Sequence, residues 1–151
     1  MLRLKNTIII DRPLKEVFDF VSDQRNNPKW NYYVKKVEKT NKRVGIGAEY
    51  LQVRKRDEQM IRVEEYLEYE RIVIGTLPGE RPAAVRKLTL SGDEQQTTIK
   101  DQIELRTPIP SFLSRLFVRV PQTAVKQNLQ KLKTLLEEGQ VILQDNREVF
   151  L

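Results

Sequence analysis

The spacing of apolar residues changes period along the chain, and each change marks an element. Leu2 to Ile10 alternates at first and ends in I-I-I, the mark of a half-buried strand. The next stretch, D-R-P-L-K-E-V-F-D-F-V-S-D, sets Val17, Phe18 and Val21 on one face, with Phe20 widening it. Pro13 suits a first helical turn and Asp11 can sit near the cap, so the stretch reads as a helix of about ten residues. Pro28 then starts a short second helix or turn carrying Trp30, Tyr32 and Tyr33. From Val34 the period falls to two. Strands are predicted over residues 34–40, 48–56, 59–69, 71–77, 85–91 and 97–107, separated by turns such as N-K-R-V-G-I-G and G-D-E-Q-Q. Strands this close in sequence form an antiparallel meander. After P-I-P the period returns to 3.6. Ser111 can cap a helix whose stripe holds Phe112, Leu113, Leu116, Phe117 and Val120. Pro121 kinks or restarts it, and Val125, Leu129, Leu132, Leu135 and Leu136 carry the apolar face on to Glu138, where Gly139 is a natural stop. The closing Q-V-I-L-Q-D-N-R-E-V-F-L is semi-apolar and receives no element, so residues 139–151 read as a tail.

The order is therefore one strand, two short helices, a run of antiparallel strands and one long helix. A twisted sheet has two faces, yet only one long helix is present to cover it. The sheet must wrap around that helix. This predicts a single α+β domain over residues 1–138: a curved antiparallel sheet of about seven strands gripping a C-terminal helix. Such an arrangement leaves a wedge-shaped gap lined by inward side chains, where small ligands bind.

Composition narrows the chemistry. The 151 residues contain no Cys and no His. Disulfides, thiolate metal sites, Cys nucleophiles, Ser-His-Asp triads and histidine-ligated metals are thereby excluded, and no metal or cofactor is expected. Any catalysis must use Asp, Glu, Lys, Arg, Tyr, Ser or Thr. The net charge is +6, but 21 acids are interspersed among 27 bases, which describes a mixed, solvated surface. The run Arg54 to Arg56 reads as a solvated hairpin end or a phosphate contact, and it lacks the interleaved aromatics that stack bases, so no nucleic acid is expected as a partner. No apolar run approaches the roughly 20 residues that span a bilayer, and the N-terminus lacks a signal-peptide core; a cytoplasmic location without stable membrane insertion is expected.

Several stretches together resemble one family. They are I-I-I-D-R-P-L-K-E-V-F-D-F-V-S-D, then P-K-W, V-G-I-G-A-E-Y, R-V-E-E-Y-L-E-Y-E-R-I-V and the closing L-Q-K-L-K-T-L-L-E. The chain is similar in these to the polyketide cyclase/dehydrase-like branch of the START and birch-pollen-allergen (SRPBCC) superfamily. The resemblance covers about Leu2 to Glu138 and implies the helix-grip fold with its internal cavity. Superfamily members include lipid carriers, aromatase/cyclases and hormone receptors, so the resemblance implies a cavity and no fixed catalytic set.

On that footing the expected cavity wall comprises Ile61, Val63 and Leu67 from one strand, with Leu88, Leu90, Ile99 and Ile103 from two others. Leu113, Phe117 and Leu129 face them from the long helix. Tyr50 and Arg54 are polar candidates, and Tyr33 borders the entrance while Trp30 packs the short helices onto the sheet. The V-G-I-G turn falls beside the cavity mouth, and the P-S-F-L-S-R-L-F-V-R-V segment is the first half of the gripped helix or a lid. Alternation places Glu65 on the face of Ile61 and Val63, and Asp101 on the face of Ile99 and Ile103. An inward acid in an apolar cavity has a raised pKa and can act as general acid or base. The alternative is that each acid pairs with an inward Arg or Tyr such as Arg54 or Tyr50, or that a bulge turns it outward. Three functions are consistent with this reading. The first is a binder of a small hydrophobic lipid-, sterol- or polyketide-like molecule. The second is a cyclase or dehydrase using Glu65 or Asp101. The third is an interaction domain with an incidental cavity.

Overall fold

The computed structural model describes residues 2–106 and 111–151, with the side chains of residues 111–121 outside the described set. Strand β1 (Leu2–Ile10) is followed by helix α1 (Leu14–Ser22) and a 3₁₀ helix (Gln24–Lys29). Six strands come next: β2 (Val34–Lys39), β3 (Glu49–Arg54), β4 (Glu58–Leu67), β5 (Arg71–Thr76), β6 (Ala84–Gly92) and β7 (Thr97–Leu105). Helix α2 (Ser111–Glu138) precedes a hairpin of β8 (Gln140–Ile142) and β9 (Glu148–Phe150). β1 to β7 form one seven-stranded sheet in the order β1-β7-β6-β5-β4-β3-β2, antiparallel throughout. Only β1 is out of sequence order, and it docks on the last strand, β7, as a wrapped sheet requires. Among the described residues no helix is long and apolar enough to cross a membrane.

The core lies on the concave face. Ile10, Ile61, Val63, Ile72, Leu88, Leu90 and Ile99 point inward from the sheet, and Leu129, Leu132 and Leu136 of α2 pack onto them. α1 closes the near end through Val17, Phe18 and Val21, the three residues its 3.6 spacing singled out. Gly139 ends α2 with φ +78° and donates its N–H to the Leu135 carbonyl at 2.9 Å, the left-handed stop expected of a glycine there.

Four local expectations are corrected. Asp11 does not cap α1; the N-cap is Pro13, with no side-chain bond. Asp11 instead accepts from Gln96 Nε2 at 3.1 Å, and its backbone N–H donates to Glu137 Oε2 at 3.0 Å, so it ties the end of β1 to α2. Pro28 sits inside the 3₁₀ helix rather than starting it, because Asp23 nucleates that turn by accepting from the Arg25 N–H at 3.1 Å. α2 continues through Pro121 as one helix, so the helix does not restart there. The tail is structured: Val141, Leu143 and Val149 bury a second small cluster against Leu135 and Phe20. Strands of three residues are too short to display a period, which is why the sequence pattern does not reveal them.

Candidate ligand cavity

Between the sheet and the segment from α1 to Asn31 lies a cavity of about 220 Å³. Its apolar wall is built by Val21 of α1 with Ile61, Ile74, Leu88 and Ile103, one from each of β4 to β7. The alternation of a half-buried strand delivers these side chains to one face. Polar groups converge from both the sheet and the helical segment, and most are held by bonds of their own. Asn27 Nδ2 donates to Gln24 Oε1 at 3.0 Å, and Gln24 Nε2 donates to the Val21 carbonyl at 3.2 Å. Gln59 Nε2 donates to the Pro82 carbonyl at 3.0 Å. Asn31 Oδ1 accepts from Asn128 Nδ2 at 3.1 Å, and Asn128 Oδ1 from Gln144 Nε2 at 3.1 Å, which links cavity, α2 and C-terminal hairpin.

Two guanidiniums line the cavity. Arg86 forks onto Asp101, with Nε to Oδ1 at 2.9 Å and Nη2 to Oδ2 at 2.6 Å. The Asp101 side chain is fully buried, while that of Arg86 keeps 21% of its surface. The Arg86 guanidinium carbon lies 5.2 Å from the centroid of the Trp30 ring, a cation–π contact. Arg54 forks in the same way onto Asp57, both bonds at 2.6 Å, and its hydrogen bonds hold the Asp57 carboxyl below the ordinary carboxylate value. Trp30 is 2% exposed, and its Nε1–H finds no acceptor among the described residues.

Of the residues expected from sequence, Ile61, Leu88, Ile103 and Arg54 reach this cavity. Val63, Leu90, Ile99, Leu129 and Tyr50 are buried in the core cluster and are not part of its lining. Burial raises the Tyr50 hydroxyl pKa, with the negative charge of Asp23 adding to the effect. Tyr33 is 41% exposed and stands edge-on to Tyr32, ring centroids 4.8 Å apart, beside a separate shallow depression that it shares with Arg54 to Asp57. The Gly45–Gly47 turn rests near Tyr66 and bonds to Val63, and adds nothing to the cavity lining. Leu113 and Phe117 lie outside the described side chains.

The inward placement of Glu65 and Leu67 is overturned. A bulge between Val63 and Glu65 inserts one residue, so that Val63 pairs with Ile74 while Glu65 pairs with Val73. The phase flips there. Glu65 joins Arg71 in an ion pair, Leu67 becomes 41% exposed, and Tyr66 turns in to meet Phe18 at 5.5 Å. Asp101 does face inward, but its partner is Arg86 rather than Arg54 or Tyr50. Arg86 was legible in principle, because it shares the phase of Leu88 and Leu90 on β6.

A seven-stranded antiparallel sheet closed on a terminal helix over a lined cavity defines a helix-grip protein of the SRPBCC type. Residues 1–137 match the model of the family described as polyketide cyclase / dehydrase and lipid transport, and the chain belongs to that family. No protein of curated function matches it in sequence. Among similar solved structures is the di-domain ARO/CYC BexL from the BE-7585A biosynthetic pathway, with a TM-score of 0.72 at 17% identity; the alignment covers 91% of this chain and 47% of that one. A Deinococcus radiodurans protein aligns with a TM-score of 0.67 at 14% identity, over 91% and 98% of the two chains. The Aha1 dimer of Colwellia psychrerythraea gives 0.67 at 13% identity, over 91% and 97%. At these identities the likeness is one of fold.

Proposed function

We propose that this protein binds a compact, largely apolar small molecule in the cavity between its sheet and its helical segment. The observation that carries the reading is the cavity itself: about 220 Å³, walled by aliphatic side chains and edged by a few anchored polar groups. A dry apolar cavity of about 150 Å³ already accepts a benzene ring. A one-ring molecule, or the head of a longer lipid- or polyketide-like chain, therefore fits. Family membership supports the same reading. Cyclase chemistry through an inward carboxylate draws no support from the site, since Glu65 is on the outer face with Arg71 and Asp101 is committed to Arg86.

Native mass spectrometry of gently purified protein, set beside its denatured mass, reveals a carried molecule. Uptake of toluene then compares the wild type with Ala84→Phe, which places a ring in the cavity. Saturable uptake lost in the variant is expected. A wild type that carries nothing and takes up toluene no better than Ala84→Phe would end the proposal.

A further inference from the structure

Resting on that reading, we infer that the cavity holds its ligand by a neutral hydroxyl group, seated among the carboxamides of Asn27, Asn31, Gln52 and Gln59. These amides both donate to the hydroxyl and accept from it.

Position comes first. Gln52 and Gln59 face each other across the β3–β4 pair. Gln59 shares its phase with Ile61 and Val63, and Gln52 shares its phase with Tyr50, so both turn toward the concave face. Asn27 and Asn31 reach the same cavity from the helical segment. Amides therefore edge the space from two walls.

Hydrogen-bonding capacity comes second. A carboxamide has two N–H donors and an oxygen with two lone pairs. Half-buried Gln52 lines the cavity and spends none of these on another described residue. Gln59 is 4% exposed and gives one N–H to the Pro82 carbonyl, which leaves its side-chain oxygen without a donor. Asn27 likewise gives one N–H to Gln24 and keeps its oxygen free of a donor. Asn31 is the reverse: its oxygen accepts from Asn128 Nδ2 and from the Tyr33 backbone N–H, both at 3.1 Å, and its own N–H donors are unspent. Among the described residues, the side-chain atoms both unmatched and sealed from solvent are Asn6 Nδ2, Trp30 Nε1 and Arg71 Nε, so the unspent atoms of these four amides are accessible.

Unspent donors and acceptors side by side suit a hydroxyl, which does both. A ketone or ether only accepts, and leaves the Gln59 and Asn27 oxygens unmatched. Arg54 and Arg86 do not alter this balance, since a guanidinium only donates and each is already forked onto a carboxylate.

Titration of ¹⁵N-labelled protein, followed by ¹H–¹⁵N correlation spectra, gives affinity and place together, because each side-chain amide has its own pair of peaks. Three one-ring probes separate the terms: phenol donates and accepts, benzaldehyde only accepts, and toluene does neither. A cavity without hydrogen-bond partners would favour toluene over phenol by about tenfold or more, since a buried, unmatched hydroxyl has lost its water. Here phenol is expected to bind at least as tightly as toluene, about three- to tenfold more tightly than benzaldehyde, and to shift the Gln52 amide peaks. Those peaks are identified by their absence in Gln52→Leu. In that variant phenol is expected to lose about three- to tenfold against toluene, while the fold has no Gln52 side-chain bond to lose. Toluene ahead of phenol by tenfold in the wild type overturns the inference. Benzaldehyde equal to phenol, or a phenol-to-toluene ratio unchanged in Gln52→Leu, does so too. Each of these results still shows a molecule in the cavity and leaves that reading intact. Failure of all three probes to bind overturns the cavity reading and this inference together. The wild-type comparisons need no substitution, so a variant that fails to fold does not remove the test.

Discussion

Replacing Arg86 with Met leaves the Asp101 carboxylate, whose side chain has no exposed surface, without its counter-ion. Breaking a buried pair from one side costs about 3–5 kcal/mol, because the remaining charge keeps its desolvation penalty. The cation–π contact with Trp30 is lost as well, adding about 0.5–2 kcal/mol, though Met refills part of the volume. A domain of this kind has about 5–15 kcal/mol of stability in total, so the single change removes a large share. With a urea slope of about 2 kcal/mol/M, the unfolding midpoint falls by about 2–3.5 M. The double change Arg86→Met with Asp101→Leu removes both charges at once, and replacing a whole buried pair by apolar residues is often neutral or better. It is expected to recover most of the loss. Urea unfolding followed by Trp30 emission measures all three proteins, with Trp30 in contact with the altered site. A cost below about 1 kcal/mol for Arg86→Met, or a double variant weaker than the single one, would refute the view of Asp101 as a buried charge dependent on one partner.

Other outcomes follow from the geometry. Glu65→Gln is expected to change stability by less than about 1 kcal/mol and toluene uptake not at all, because its ion pair with Arg71 is partly exposed on the outer face; a loss of uptake would contradict the bulge. Gly92→Ala is expected to destabilise clearly in thermal melts and Gly75→Ala only slightly. A Cβ at Gly92 meets the Gln96 backbone oxygen at 2.2 Å, whereas the equally close atom at Gly75 is the movable Glu64 carboxylate. Leu143→Ala is expected to cost about 2–3 kcal/mol in urea unfolding, since Leu143 is 2% exposed in the cluster that seats the C-terminal hairpin; a change near zero would show that the hairpin is not anchored there. Burial raises the Asp23 carboxyl pKa, but its bonds from Arg25 outweigh this and hold it below the ordinary 3.8. A lowered carboxylate binds fewer protons folded than unfolded, so its contribution is present above 3.8 and fades as pH falls through the lowered value. Asp23→Asn is therefore expected to flatten that acid limb of the stability–pH curve, and an unchanged limb would assign the effect to other groups.

Where local period carries the signal, the sequence anticipates the structure closely. The inward face of α1 is Val17, Phe18 and Val21, and the apolar stripe of α2 is Leu129, Leu132, Leu135 and Leu136, as read from spacing alone. The predicted β2 to β7 each overlap the observed strand. Where one residue is inserted, the same reasoning reverses sign: everything after the bulge on β4 changes face, and Glu65 and Leu67 move from the expected wall to the outside. No feature of V-E-E-Y-L announces that insertion, because the bulge is settled by which residues of β5 it must pair with.

The chain's own chemistry determined that one long helix must serve a whole meander of strands, and the lack of His and Cys in these residues excluded catalysis and metal ligation that depend on those two side chains. Tertiary contact decided the character of the site. Asp101 and Arg86 are 15 residues apart and meet only because β6 pairs with β7, and that meeting commits the candidate acid Asp101 as the acceptor of a buried ion pair. Trp30 is left beside them, 2% exposed and with an N–H unmatched among the described residues. Period is a property of neighbours along the chain. Charge balance in a cavity depends on which groups folding brings together, and at low dielectric those few contacts outweigh the net charge of the whole.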